Sequence, residues 1–317
     1  MKANSLSLLT ILLVLTAFGA CTSKKQVEEP KDPIAQATSL FGKELYAPSR
    51  PEDQQAKLLQ NLAAAQNQYD KTPDELATIW LGRRYAYLTD YNKAIEVFSN
   101  GLKQFQESYR LYRHRGHRYV STRQFDKAIE DFESAYKLMP KDTTEIEPDG
   151  IPNKLNKPLS NTQFNILYHY GLAYYLKGDF EKAESIYEEC LQYSDNPDLL
   201  VATTDWLYMS LRRQGKIQEA QEVLAAVSPN LEIIENDSYF KRLMMYKGQL
   251  PMDELFKTNE ADAALSLATQ GYGMANWYLY NGDSTKAREI YNDILKGESW
   301  SPFGYIAAEA DLLLIGE

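Results

Sequence analysis

A pattern of small and large residues returns along this chain at intervals near 34. Leu81-Gly82, Tyr85, Asp90-Tyr91, Ala94 and Phe98 are answered by Gly116, Tyr119, Phe125, Ala128 and Phe132. Further copies stand at Gly171, Tyr174, Gly178-Asp179-Phe180, Ala183 and Tyr187, then at Leu211, Gly215, Ala220 and Leu224. A last one stands at Tyr278, Gly282-Asp283, Ala287 and Tyr291. The marker alanines 94, 128, 183, 220 and 287 are separated by 34, 55, 37 and 67 residues. The widest gap is nearly two periods. It predicts a worn copy whose turn is Lys247-Gly248-Gln249-Leu250. The 55 implies an insertion. A unit this short cannot bury its own apolar face and must stack on its neighbours.

The residue types suit paired helices. Gly and Ala let two antiparallel helices approach closely, and Tyr and Phe fill the hollow between one pair and the next. Asp before an aromatic residue at the turn caps the second helix. In these residues, over roughly 74–297, the chain resembles the tetratricopeptide repeat. The resemblance implies an all-α, right-handed α-solenoid of about six helix pairs. Residues 52–69 carry a helical pattern (Ala56, Leu59, Leu62, Ala63) and are expected to lead the array. Residues 303–315, with Tyr305, Ile306 and Leu312–314, are expected to close it, because terminal units otherwise leave core surface wet.

The start of the chain reads differently. Lys2, the apolar run 6–18 and the small pair Gly19-Ala20 form a secretory signal, too short to span a bilayer. Cys21 after that pair resembles a bacterial lipobox, with Phe18 where Leu is usual. The resemblance implies cleavage before Cys21, lipidation of its sulfur and an acyl anchor in the envelope. Thr22 in the next place implies the outer membrane. Residues 21–45, polar and proline-bearing at first, are expected to form a flexible tether, and 46–317 the solenoid. The insertion, 141–162, is longer than ordinary repeat connections and is either functional or mobile. Its Ile146, Ile151 and Leu155 are odd choices for free solvent and favour a packed loop.

In the resembled family the first helix of each pair lines a concave face. Four places per unit point inward, among them Arg83, Arg110, Arg113, His117, Tyr168, Tyr175, Asp205, Tyr272 and Asn276. These are the candidate partner-binding residues. The stretch 109–118 places four arginines and two histidines in an acidic chain of net charge −10. Arg110, Arg113 and His117 share a helical face, where like charges repel. They call for an anionic counterpart: the loop acids Glu145, Glu147 and Asp149, or the carboxylate or phosphate of a ligand. Arg83 stands where a carboxylate clamp of this family has Asn, which separates the chain from chaperone-tail binders. His114 and His117 are flanked by cations that repel a metal ion, so no metal or cofactor is expected.

The acidic balance disfavours nucleic acid. Two cysteines give no disulfide framework, and Cys190 reads as a buried thiol. No phosphate loop, His-Glu-x-x-His or Gly-x-Ser-x-Gly motif is present, so no catalytic residues are assigned. The expected function is a lipid-anchored, non-catalytic adaptor that holds a protein or peptide partner in its groove, where the cations suit an anionic one. The alternative is a receptor or hydrolase for a small anion, with loop 141–162 closing over the arginine-histidine cluster.

Overall fold

The structure is a computed structural model, and it describes residues 33–148, 150, 152–256 and 266–316. The expected signal (1–20), Cys21, Asp149 and Ile151 lie outside these residues. Thirteen α-helices follow one another among them. They are α1 (Glu52–Lys71), α2 (Glu75–Tyr87), α3 (Tyr91–Gln104), α4 (Tyr109–Ser121), α5 (Phe125–Leu138), α6 (Thr162–Leu176) and α7 (Phe180–Leu191). Next come α8 (Pro197–Arg213), α9 (Ile217–Ala225), α10 (Asp237–Tyr246), α11 (Tyr272–Tyr280), α12 (Ser284–Leu295) and α13 (Phe303–Leu314).

Each period is a helical hairpin. Asp90, Asp179 and Asp283 cap the second helices of their pairs by accepting from the amide three residues on, as the turn pattern requires. Gly82 and Gly171 lie directly under Phe98 and Tyr187. A Cβ at Gly82 would come within 2.2 Å of the Phe98 ring, and one at Gly171 within 2.8 Å of the Tyr187 ring. Phe98, Phe132, Tyr187 and Tyr291 are thereby almost wholly buried, each stabilising by about 1.5–3 kcal/mol. The worn copy is α10, the predicted turn with Gly248 in a left-handed conformation, and a single 3₁₀ turn, Met252–Phe256.

The same left-handed turn position is glycine at 178, 215, 248 and 282 but Thr89 and Arg123 in the first two units. Such a backbone costs a side-chain-bearing residue about 1 kcal/mol or more. Both side chains are engaged. Thr89 receives a hydrogen bond from Arg50. Arg123 forks onto Glu309 at 2.9 and 3.1 Å and donates to the carbonyls of Ser121 and Trp300.

That contact belongs to the least expected element. Helix α13 was read as a cover for the last unit. It packs on α12, and it also crosses the first helices α6 and α11. Every residue from Gly304 to Leu312 is buried, as in a helix enclosed on all sides. Small residues permit the approach: a Cβ at Gly304 would stand 1.9 Å from the Ala268 carbonyl. Ala268 lies in a π-helical turn, Leu267–Gly271, that leads into α11.

The other chain end joins the same place. Strands β1 (Ala37–Thr38) and β2 (Glu44–Leu45) pair antiparallel within the stretch expected to be tether. Leu45 is buried. The Trp300 indole donates to the Tyr46 carbonyl at 2.6 Å, and its ring meets Tyr91 edge-on. Two-residue strands are too short for an alternating pattern to reveal.

Candidate functional site

The candidate groove residues fall into two groups. Tyr175, Tyr272 and Asn276 come together, deep inside. Asn276 donates to the Tyr175 hydroxyl at 2.7 Å, and the Tyr272 hydroxyl lies 2.7 Å from Tyr175 and 3.0 Å from Asp311. Tyr291 donates to Asp311 at 3.0 Å and Arg213 reaches it at 2.5 Å. Asp311 belongs to α13. The carboxylate gripped by these inward-pointing positions is therefore the chain's own. Asp205 is fully buried against Arg242, which also donates to the Thr269 carbonyl at 2.7 Å. Tyr168 takes a hydrogen bond from the Trp206 indole and shares one with Tyr239, each at 2.8 Å. None of these five offers an open contact surface.

The cationic group lies at the other end, on α2 and α4. Here the inserted loop supplies the counter-charges. Glu145 accepts from Arg110 at 2.7 Å, and Glu147 lies 3.2 Å from Arg113. Arg83 donates to the Pro148 carbonyl at 2.9 Å. Glu75 on α2 adds a longer contact to Arg110, at 3.4 Å. The repulsion that the sequence raises among these arginines is settled inside the molecule.

The loop is held by its polar groups, contrary to the apolar packing expected of it. Ile146 bridges Asn161 through the backbone, Glu147 is buried, and the Leu159 carbonyl accepts from Asn196. Ile146 is 69 % exposed and Leu155 65 %.

The exposed isoleucine has a neighbour. Leu76, an inward position of the first unit, is 57 % exposed. Leu76, Trp80 and Ile146 line an open cavity of about 500 Å³ between α2, α4 and the loop. Arg83 and Arg110 stand on its wall with Glu75 and Glu145. Arg83 and Arg84 both lie over the Trp80 ring, at 4.4 and 4.9 Å. A shallower depression between α1 and α2 shares Leu76 and Trp80. Helix α1 itself has no buried residue.

Behind this cavity the three histidines gather. The His117 and His169 rings are 4.3 Å apart, and Phe303 of α13 touches both. His114 stacks on Phe98, and its Nδ1 lies 2.9 Å from an Arg113 nitrogen, so that Nδ1 accepts. His169 Nδ1 lies 2.6 Å from the Asn165 carbonyl, which can only accept, so that nitrogen carries the proton. Burial first, then the nearby arginines, holds all three well below the usual histidine range. His114 and His169 are buried, and His117 is half-buried beside them. Cys190 is buried near Thr203, and burial pushes its thiol up to about 12. Among the described residues no group of three metal-ligating side chains occurs, and no helix is long and apolar enough to cross a membrane.

Stacked helical hairpins with glycine under an aromatic of the partner helix define an α-solenoid. Residues 81–143 and 164–197 match tetratricopeptide repeat families, and the chain is a tetratricopeptide repeat protein. BBSome complex member BBS4 of Bos taurus is 28 % identical over 144 residues, which are 45 % of this chain and 23 % of that protein. The chain thus matches under a quarter of that relative's length. Among solved structures, YrrB, described as a TPR protein with an unusual peptide-binding site, is 15 % identical. It covers 78 % of this chain and 97 % of its own, with a TM-score of 0.41. A tetratricopeptide repeat protein of Parabacteroides merdae is 12 % identical, with 82 % and 94 % coverage and a TM-score of 0.45.

Proposed function

We propose that the protein is a non-catalytic adaptor that holds a peptide segment of a partner at the open end of its array, in the cavity of Leu76, Trp80 and Ile146. One observation carries this reading: two large aliphatic side chains stay exposed on opposite walls of one cavity, where burial would be favourable. Trp80, stiffened by two arginines, adds the kind of rigid aromatic area that dominates interface energies. Arg83 and Arg110, beside Glu75, Glu145 and Glu147, give the walls polar groups that suit a segment with an apolar anchor and polar flanks.

The test is site-specific crosslinking. A photoreactive residue at position 76 or 146 is expected to capture a discrete partner in cells. The same residue at Ile217, exposed on a second helix, is expected to capture none. Equal capture from all three positions sinks the assignment.

The anchor belongs to the same reading. The apolar run 6–18 and Cys21 support an acyl-anchored protein of the bacterial envelope, at the outer membrane. In a chain whose signal 1–20 has been removed, Cys21→Ser is expected to move most of the protein from the membrane to the soluble fraction, because the acyl chains are the proposed anchor. Retention of the variant on membranes would contradict the anchor and leave the adaptor reading standing.

A further inference from the structure

A second cavity, of about 380 Å³, lies at the first turn of α13 and shares no lining residue with the open one. Its size falls in the range of small-ligand sites. Tyr91, Trp206, Tyr239 and Phe303 give it aromatic walls, and among the described residues no carboxylate lines it.

The charges around it do not balance. Helix α4 carries four arginines, and three of them have acids: Glu75 and Glu145 for Arg110, Glu147 for Arg113, Asp131 for Arg115. Arg118, which lines the cavity, makes no ion pair and no side-chain hydrogen bond among the described residues. Its guanidinium rests 5.0 Å from the centre of the Tyr91 ring. It is half-buried, and burial together with the repulsion of Arg113 opposes its charge. A half-buried cation with no counter-charge among the described residues is favoured when an anion joins it. The other groups on the wall cannot play that part. Arg242 is committed to Asp205, His117 is held neutral, and the Ser121 hydroxyl donates to the His117 carbonyl.

Further donors face the same space. Helix α13 starts at Pro302, which provides no capping side chain. The amide N–H groups of Phe303 and Gly304 make no hydrogen bond among the described residues, and both residues line the cavity. The Ser301 hydroxyl beside them is likewise unengaged among the described residues. A guanidinium, a free hydroxyl and two amides of a helix start therefore border one open pocket with aromatic rings on its walls.

We propose that this cavity binds a small aromatic carboxylate, with the carboxylate between Arg118 and the first turn of α13 and the ring among Tyr91, Trp206 and Phe303. The site is independent of the peptide cavity and of the loop 141–162, none of whose residues line it.

Calorimetric titration of the full-length chain with phenylacetate tests the proposal, with phenylacetamide and inorganic sulfate as comparisons. Phenylacetate is expected to bind at millimolar concentration or tighter. The amide, which cannot pair with the guanidinium, is expected to bind at least about tenfold more weakly, and so is sulfate, which has no ring. Arg118→Gln is expected to remove the preference for the acid, whereas Lys296→Gln, at an exposed surface pair with Asp293, leaves it unchanged. Absence of phenylacetate binding up to about 10 mM overturns the proposal, as does equal binding of acid and amide, or a sulfate affinity matching phenylacetate. An unchanged titration in a folded Arg118→Gln protein overturns it as well. Should that variant not fold, the acid–amide comparison on the unaltered chain decides.

Discussion

Asp311→Ala is expected to cost about 3–5 kcal/mol of stability in urea unfolding, the loss typical of removing one partner from a buried ion pair. The change leaves Arg213 without its acid, and the hydroxyls of Tyr272 and Tyr291 without their acceptor, in a region closed to water. Asp311→Asn keeps an acceptor oxygen and should recover part of the loss. The expected pattern separates two roles. If the carboxylate merely solvates the helix, alanine costs less than about 1 kcal/mol, as surface changes do. A small loss for alanine would therefore mean that α13 is not seated by this residue.

Acid should weaken the protein before most of its carboxylates titrate; Asp205, which burial pushes up to about 6, offsets a small part of the loss. The three histidines are held well below the usual 6.5 in the folded chain. The unfolded chain therefore takes up protons first as pH falls. The stability their neutral form provides is complete above pH 6.5 and is lost progressively below it. Each can contribute about 1.4 kcal/mol per pH unit, so the three together account for up to about 4 kcal/mol at pH 5.5. Glu147, whose Oε1 lies 3.9 Å from His114, softens the effect for that ring only. For His117 and His169 the near charges are Arg118 and Arg113, which deepen it. Urea midpoints at pH 7.5 and 5.5 measure the loss, and a His117→Phe, His169→Phe variant should show a smaller one. Identical midpoints at both pH values in the unaltered protein would show that the fold does not hold these rings neutral.

The repeat was legible because it rests on local chemistry. Glycine under an aromatic, alanine between helices and aspartate at the turn each act within one hairpin, so that each leaves its mark at a fixed spacing. The worn copy was legible from Lys247-Gly248-Gln249-Leu250 for the same reason. The site was legible only in part. Arg110, Arg113 and His117 share a helical face as expected, and two of the three loop acids named as possible counter-charges, Glu145 and Glu147, meet Arg110 and Arg113. What spacing could not reveal is which places along the first helices stay open. Tyr175, Tyr272 and Asn276 occupy inward positions, yet Asp311, as many as 136 residues away in sequence, fills the space before them. No local pattern reports so distant a contact. A signal did exist: residues 304–312 are apolar or small on every side, with two acids at 309 and 311, which a merely one-sided terminal cover would not need.

Arg123, Glu309 and Trp300 tie the second unit to the last helix, and Leu40 and Tyr46 from the start of the described chain hold the same two partners. An ordinary stack of hairpins behaves like a spring, free to stretch, twist or shed a coil from either tip. Here the second unit and the segment before α1 are buckled to the last helix, and that stretch of the spring is clasped. Whatever the open cavity grips is therefore held beside a clasped frame, and a pull on residues 40–46 is passed on to α13.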